Sequence, residues 1–341
     1  MADTIRGGGR AGRAFLRRLS LPAEGGRAEA EEEDGVISYM VRRVLLSIPL
    51  LWGVLTIVFL GFHALPGDPA AQMLLGHGTA QDVARLRHEM GLDRPLLTQY
   101  WDFITHAAHL DFGTSLTSQQ PVFNVIWDRF PSTLQLVVCA MIPAVVIGMG
   151  LGVLAAVTDR TWVGAGITTF MLILLSLPDF WLGTMLALIF GVELHWLPVA
   201  GTGDFRNVIL PAATLASGIT AVLMRLTRVA LIDVLGMQYI RTARAKGVIQ
   251  RRVLFQHALR NALIPVVTVI GLIFTGLLGG VVIIEEVFAW PGVGTLAFNA
   301  VTERDFPMIQ GTTFFFALLL IAGNLLVDLT YAFFDPRIQY A

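Results

Sequence analysis

The sequence of 341 residues has one cysteine, one lysine and little charge, and each shortage excludes a class of function. The single cysteine, Cys139, can form neither a disulfide within the chain nor a cysteine-based zinc site. The single lysine, Lys246, precedes Gly247, whereas a nucleotide-binding P-loop needs serine or threonine after its lysine. The chain therefore has no P-loop, and any ATP hydrolysis that serves it must come from a partner.

Other catalytic signatures are also missing. No HExxH, GxSxG or EF-hand pattern occurs. His106 and His109 are three residues apart but have no nearby cysteine, and Asp179 and Asp328 are isolated acids in apolar segments. We expect Asp328 to pair with a cytoplasmic-side arginine. We therefore predict that the chain is not an enzyme and has no catalytic, cofactor-binding or metal-binding residue.

In place of these features the sequence has long apolar blocks. Hydrophobic residues make up 55% of the chain and the mean hydropathy is +0.68, whereas soluble domains contain about 45–50% apolar residues. Backbone groups in lipid must find partners within the segment, so each block long enough to cross the membrane is predicted to be a helix. We predict an all-α integral membrane protein with six spans, at 44–65, 132–158, 164–192, 208–232, 262–284 and 312–334.

The third span contains the sequence SLPDFW near its middle. It is either one kinked helix or two short re-entrant pieces, and we favour the kinked helix. Irregular backbone inside a membrane is tolerated only where protein or water covers it. The break is therefore a candidate for lining a pathway, with a simple kink as the alternative; its residues are Pro178, Asp179, Phe180 and Trp181.

The charge distribution predicts the orientation. Arginines precede the first span, six Lys/Arg lie between the fourth and fifth, and residues 66–131 carry four arginines against seven acids. The positive-inside rule places both termini and the basic loop in the cytoplasm. The predicted division is a disordered tail (1–35), the first span (36–65), an extracytoplasmic subdomain (66–131), a core of five spans (132–334) with a cytoplasmic loop (233–261), and a cytoplasmic C-terminus (335–341).

The extracytoplasmic subdomain has helix signals of its own. Thr79 is a predicted N-cap with Asp82 three residues later, and Gly91 is a predicted stop. Pro95 can open a second helix. One face of that helix is predicted to carry Leu97, Tyr100, Trp101 and Ile104, and the aromatic residues of this segment suit a membrane interface.

The basic loop has more structure than a topological anchor needs. Residues 239–265 carry five arginines and one lysine, and no acid occurs between Asp233 and Glu285. Strong helix formers flank Gly247, where a turn would fit. We predict a short helix, a glycine turn and a second basic helix that form a projecting elbow. From these residues alone, a plain anchor and a working surface remain equally open.

Nine motifs, in order from about residue 36, resemble permease subunits of ABC importers of the peptide/nickel group. The resemblance is carried by HALPGDPA (63–70), GLDRPLLTQY (91–100), LDFGTSL (110–116), SLPDFWLG (176–183), YIRTARAKG (239–247), RVLFQHALRNALIPVVTVIG (252–271), EEVFAWPGVG (285–294), RDFPMIQG (304–311) and NLLVDLTYAFFDPRI (324–338).

The resemblance implies six transmembrane helices of the type I ABC importer permease fold. It implies an ATPase-coupling role for the loop, whose family pattern runs Glu-Ala-Ala, three residues, then Gly; here Arg241 replaces the glutamate. It also implies that EEVFAWPGVG lies near a binding-protein docking site. The implied coupling residues are Tyr239, Arg241, Thr242, Ala243, Arg244, Ala245, Lys246 and Gly247, and the implied docking residues are Phe288, Trp290, Pro291 and Gly292.

The implied partners are a second homologous permease in a heterodimer, two subunits that bind ATP and Mg, an extracytoplasmic binding protein and membrane lipid, without nucleic acid. The implied location is the bacterial or archaeal inner membrane. Dipeptides or oligopeptides are the expected cargo, with nickel and glutathione as alternatives. A self-sufficient secondary transporter or channel is the rival function, but the sequence shows neither an inverted repeat nor paired midplane charges.

Overall fold

The computed structural model describes residues 24–64, 70–71, 79–89, 91–279 and 281–334. In these residues the regular structure is helical, apart from an isolated bridge between Thr114 and Pro121. The α-helices are α1 (Glu24–Ala64), α2 (Ala80–Glu89), α3 (Leu96–Ala108), α4 (Val122–Val157), α5 (Trp162–Ser176), α6 (Asp179–Leu186), α7 (Arg206–Leu235), α8 (Gln238–Ala245), α9 (Gln250–Arg252), α10 (Leu259–Leu278), α11 (Val282–Val287), α12 (Val293–Glu303) and α13 (Phe306–Phe334). π-Helical turns extend α6 over Ala187–Glu193 and join α9 to α10 over Val253–Ala258.

The described helices confirm the all-α membrane fold. Five are long and apolar enough to cross a membrane, and α5 with the extended α6 makes a sixth span if the two are counted together. The five are Val41–Ala64, Val122–Val157, Arg206–Leu235, Gln250–Leu278 and Phe306–Asp328.

The prediction of one kinked helix over 164–192 is wrong. α5 and the extended α6 meet at an angle of 99°, with Leu177 and Pro178 between them in extended conformation. The proline ring disfavours helical geometry at the residue before it, so Leu177 leaves the helix and the chain turns. The segment is therefore two short helices.

Two predicted domain boundaries also change. α4 begins at Val122, so residues 122–131 belong to the second span's helix rather than to the subdomain. A helix of 36 residues is about 54 Å long, so its polar first turns can extend beyond the apolar run used for the prediction. α1 begins at Glu24, so residues 24–35 are helical and do not belong to the predicted disordered tail. Alanine and glutamate in this stretch favour a helix. Residues 1–23 and the predicted C-terminus at 335–341 lie outside the described residues.

The parallel pair α4 and α7 forms the centre of the bundle. A Cβ on Gly148 would lie 2.9 Å from the carbonyl oxygen of Thr220, and one on Gly152 would lie 2.7 Å from that of Met224. The glycines of GMGLG therefore let these two helices approach within the chain. We call the end of the bundle near Val122 the subdomain end and the end near Val157, where α7 runs into α8, the elbow end.

A second layer is formed by α13, which runs antiparallel to α10 and α1. Thr275 of α10 packs on Gly323 of α13, and Phe62 of α1 meets Phe306 with ring centroids 4.9 Å apart. Arg43 Nε lies 2.7 Å from Asp328 Oδ2, so Asp328 pairs with an arginine, which lies in the first turn of the span Val41–Ala64.

The subdomain begins with the predicted helix cap. The Thr79 backbone N–H and hydroxyl donate to Asp82 Oδ2 at 2.8 and 2.7 Å, and they hold the pKa of this exposed carboxyl below its usual value. Gly91 follows α2 with a φ of +65°, as expected of a glycine stop.

The four predicted residues of α3 lie along one side of the helix, as predicted, but only two of them pack within this chain. Tyr100 and Ile104 lie towards the bundle, but Leu97 is 70% exposed and Trp101 is 54% exposed. Phe103 and Ala107 complete the packed face, against α1 and α13. Spacing within α3 could not show which side of an aromatic-rich helix faces the other helices.

Glu285 of α11 is fully buried and caps the N-terminus of α12. Its carboxylate accepts hydrogen bonds from the backbone N–H of Gly294 and, at 2.9 Å, of Thr295. The first N–H of α12, on Val293, donates to Thr133 Oγ1 of α4 at 2.9 Å, and the same hydroxyl donates to Glu285 Oε1 at 2.7 Å. The first three amides of α12 are thus satisfied, and the helix is tied to α4.

Asp305 forms a second buried cap, at the N-terminus of α13. Its Oδ1 accepts from the backbone N–H of Met308 at 3.2 Å, and its Oδ2 accepts from Ser115 Oγ at 2.6 Å. Ser115 lies 190 residues away in the chain. The Ser115–Asp305 hydrogen bond thus joins the motifs LDFGTSL and RDFPMIQG, and the Glu285 cap joins EEVFAWPGVG to α4.

We expect Glu285→Ala to lower the free energy of unfolding by about 3 kcal/mol or more, because it leaves buried donors on Thr133, Gly294 and Thr295 without an acceptor. SDS-titrated unfolding in mixed micelles measures this change. The control is Glu286→Ala, because Glu286 is adjacent and exposed and its loss should cost no more than about 0.5 kcal/mol. Equal effects of the two substitutions would contradict the capping role.

Candidate functional site

The loop after α7 has the predicted elbow geometry. α8 ends at Ala245, and Gly247 has a φ of +78°, a left-handed conformation that favours glycine. The backbone N–H of Gly247 donates to Arg244 O at 3.0 Å and that of Val248 donates to Ala243 O at 3.2 Å, which closes the turn. α9 then begins at Gln250, and a Cβ on Gly247 would meet no atom within 4 Å. The glycine is therefore required by backbone conformation rather than by space.

The inner face of the elbow is anchored in the bundle. Ile240 is fully buried in a cluster with Leu231 of α7 and Val253 of the π-helical turn. Ala243 is partly buried against the same cluster. The small side chain at 243 therefore serves close packing within this chain.

A hydrogen-bonded tyrosine ties α8 to the start of the fifth span. Asn261 Nδ2 donates to the Tyr239 hydroxyl oxygen at 2.9 Å, and this hydroxyl donates to the carbonyl oxygen of His257 at 3.4 Å. Since His257 lies in the π-helical turn, these hydrogen bonds join α8 to the point where the helical geometry changes. π-Helical turns are frequent at functional sites.

The outer face of the elbow combines exposed apolar residues with positive charge. Ile249 is 75% exposed and Phe255 is 53% exposed, although both follow the glycine turn in a polar segment. The sequence analysis identified neither residue. The available signal was Ile249, a bulky apolar residue between Gly247 and the pair Arg251 and Arg252. We define the elbow surface as Arg241, Thr242, Arg244, Ala245, Lys246, Ile249, Arg251, Arg252 and Phe255, all of which are exposed.

The four candidate pathway residues lie at the bend between α5 and α6. Pro178 and Asp179 are exposed, and Asp179 opens α6, where the helix dipole favours an acid. Phe180 is 54% exposed and Trp181 is 44% exposed. α7 lies close by, because a Cβ on Gly218 would be 3.6 Å from Asp179 Oδ1. The bend therefore presents an acid and two aromatic side chains on the surface of this chain.

Most of the residues predicted to contact a binding protein are buried in this chain. Phe288 is 1% exposed and Trp290 is 3% exposed, because both pack in the central core, and the Trp290 indole donates to the carbonyl of Ser132 at 2.9 Å. Gly292 is buried against the Glu285 carboxylate, and Pro291 is only partly exposed. These four residues shape the fold, and the exposed apolar side chains nearby are Ile283, Phe298 and Val301.

Comparison with known proteins agrees with this architecture. Residues 148–340 match the family described as "Binding-protein-dependent transport system inner membrane component". Residues 36–137 match the family described as "Binding-prot-dependent transport system membrane comp, N-term". The second match covers the first span and the subdomain, and the first match covers most of the core and the elbow.

Curated relatives match over almost the whole chain. The glutathione transport system permease protein GsiC of Salmonella typhi is 45% identical over 305 residues, which are 89% of this chain and all of that protein. GsiC of Escherichia coli (strain K12) is 44% identical over the same shares. The chain therefore belongs to the binding-protein-dependent inner-membrane components, and it is a multi-pass, non-catalytic permease of a peptide/nickel-type ABC importer.

Proposed function

We propose that the elbow surface is the site at which this permease receives energy from its ATPase partners. The observation that carries the proposal is the two-sided construction of the elbow. Ile240 and Tyr239 fix its inner face to α7 and to the π-helical turn, while the outer face presents Ile249 among cations. A segment that is rigidly held on one side and both apolar and charged on the other suits docking to a partner.

The proposed assembly has this chain paired with a second homologous permease. Two ATP-binding subunits, which bind ATP and Mg, contact the elbow surfaces, and a binding protein docks at the subdomain end. Both termini and the elbow lie in the cytoplasm, as the positive-inside rule favours. The exposed side chains of Ile283, Phe298 and Val301 make α11 and α12 the better candidate for contact with the binding protein.

In the proposed mechanism, closure of the ATPases around ATP moves α8 about Gly247. Ile240 and the Tyr239 hydrogen bonds transmit this movement to α7 and α10. The spans then switch from an inward-facing to an outward-facing state, and the binding protein releases its cargo into a path that includes Pro178, Asp179, Phe180 and Trp181. The chain itself makes and breaks no covalent bond.

A short peptide is the proposed cargo, with glutathione as the first candidate. Glutathione is a tripeptide, and the relatives at 44–45% identity are named as glutathione permeases. Nickel, the other alternative, has no support in those names. Because the binding protein is a separate chain, cargo choice does not rest on this permease alone.

Substitution of Ile249 tests the docking role. We expect Ile249→Asp to reduce ATP-driven uptake about tenfold or more, which is equivalent to at least about 1.4 kcal/mol of lost docking free energy. We also expect a smaller amount of the ATP-binding subunits to copurify with this variant. The side chain is exposed, so folding should be unchanged. Ile249→Leu is the matched control and should retain both properties. Normal uptake and assembly in the aspartate variant would show that the elbow surface is not the coupling site.

Reconstitution tests the cargo. Proteoliposomes that contain this permease, its partner permease, the ATPases and the binding protein should accumulate labelled glutathione only when ATP is supplied on the ATPase side. Liposomes with this chain alone should accumulate none. Uptake by the chain alone would favour the secondary transporter instead. ATP-driven uptake of a dipeptide without glutathione would show that glutathione is the wrong candidate, and uptake of nickel alone would show that the cargo is not a peptide.

A further inference from the structure

α3 has three faces, and only one of them is explained by packing within the chain. Tyr100, Phe103 and Ala107 form the packed face against α1 and α13. Leu97 and Trp101 form a second, apolar face, and they are 70% and 54% exposed. At about 100° per residue, their side chains point within about 40° of each other.

The third face of α3 is polar. Thr98 and His106 are exposed, and Asp102 is half-exposed beside Arg94, whose Nη1 lies 3.1 Å from Asp102 Oδ2. The exposed surface of this helix of 13 residues is therefore divided lengthwise into an apolar strip and a polar strip. Such a division is typical of a helix that lies in the plane of a membrane interface.

Contacts with α1 set the depth of α3. The Tyr100 hydroxyl lies 2.9 Å from Thr56 Oγ1, and Gln99 Oε1 lies 3.0 Å from His63 Nε2. Both partners belong to the candidate span Val41–Ala64. Thr56 precedes the end of that span by eight residues, which is about 12 Å along a helix. α3 therefore lies beside the last turns of a membrane-crossing helix rather than above them.

The neighbouring surface of α1 supports lipid as the occupant. Only 11% of the most apolar window of α1 is buried. Ile57 and Leu60, on the same turns as the Tyr100 contact, are 72% and 57% exposed. The apolar strip of α3 thus continues the exposed apolar surface of a membrane-crossing helix.

We propose that α3 is an interfacial helix that anchors the subdomain in the leaflet at the subdomain end. Leu97 and Trp101 insert among the upper acyl chains, the packed face holds α1 and α13, and the polar strip of Thr98, Asp102 and His106 faces water. The anchor fixes the height of the subdomain above the bilayer. This inference does not depend on the coupling role of the elbow or on the cargo.

Spin labels test the anchor in the full chain in phosphatidylcholine/phosphatidylglycerol nanodiscs. Cys139→Ala gives a background without cysteine, into which Leu97→Cys or its neighbour Thr98→Cys is introduced. We expect the label at 97 to collide more often with dissolved oxygen than with a water-soluble nickel chelate, and the label at 98 to show the reverse. Ala108→Cys, also exposed and on the apolar side, should behave like the label at 97.

Two results would overturn the anchor. If labels at 97, 98 and 108 were all open to the nickel chelate, α3 would be solvated on both outer faces. If the labels at 97 and 108 were shielded from both reagents, a protein partner would cover the apolar strip. Because nanodiscs expose both leaflets, neither result depends on the orientation of the chain or on transport.

Discussion

The buried Glu285 carboxylate is the interaction on which the subdomain end of this permease depends. It satisfies two amides of α12, and with Thr133 it completes the cap and ties that helix to α4. Buried helix ends are costly when their amides have no acceptor, so this cap stabilises a short helix whose N-terminus lies inside the bundle. Asp305 provides the same solution for α13, with Ser115 as its distant partner.

The two ends of the bundle follow different physical rules. At the subdomain end, buried carboxylates and glycines such as Gly294 hold the helices in one arrangement. At the elbow end, α8 rests on a small apolar cluster around Ile240 and on the hydrogen bonds of one tyrosine, beside a π-helical turn. A bundle held by buried caps at one end, and at the other by the Ile240 cluster and one tyrosine, suits a subunit that receives movement at the elbow end.

Local signals in the sequence predicted the features that depend on local physics. The apolar blocks predict the membrane spans. The predicted cap between Thr79 and Asp82 forms, and Gly247 adopts the left-handed conformation expected of a glycine turn. Features that depend on distant residues were mispredicted or missed. The family resemblance implies that Trp290 is a docking residue, but its side chain is buried and its indole N–H donates to the carbonyl of Ser132, 158 residues away in the chain. The face of α3 and the exposure of Ile249 likewise depend on tertiary packing.

The most direct test of energy transfer through the elbow is a photo-crosslink from position 249 in the assembled transporter. A benzophenone amino acid placed there, with position 283 at the opposite end of the bundle as the comparison, reports the neighbour of each side chain after illumination. The account predicts a covalent adduct between position 249 and an ATP-binding subunit, and none from position 283. An adduct from 249 to lipid or to the second permease, without any to the ATPase, would contradict the account.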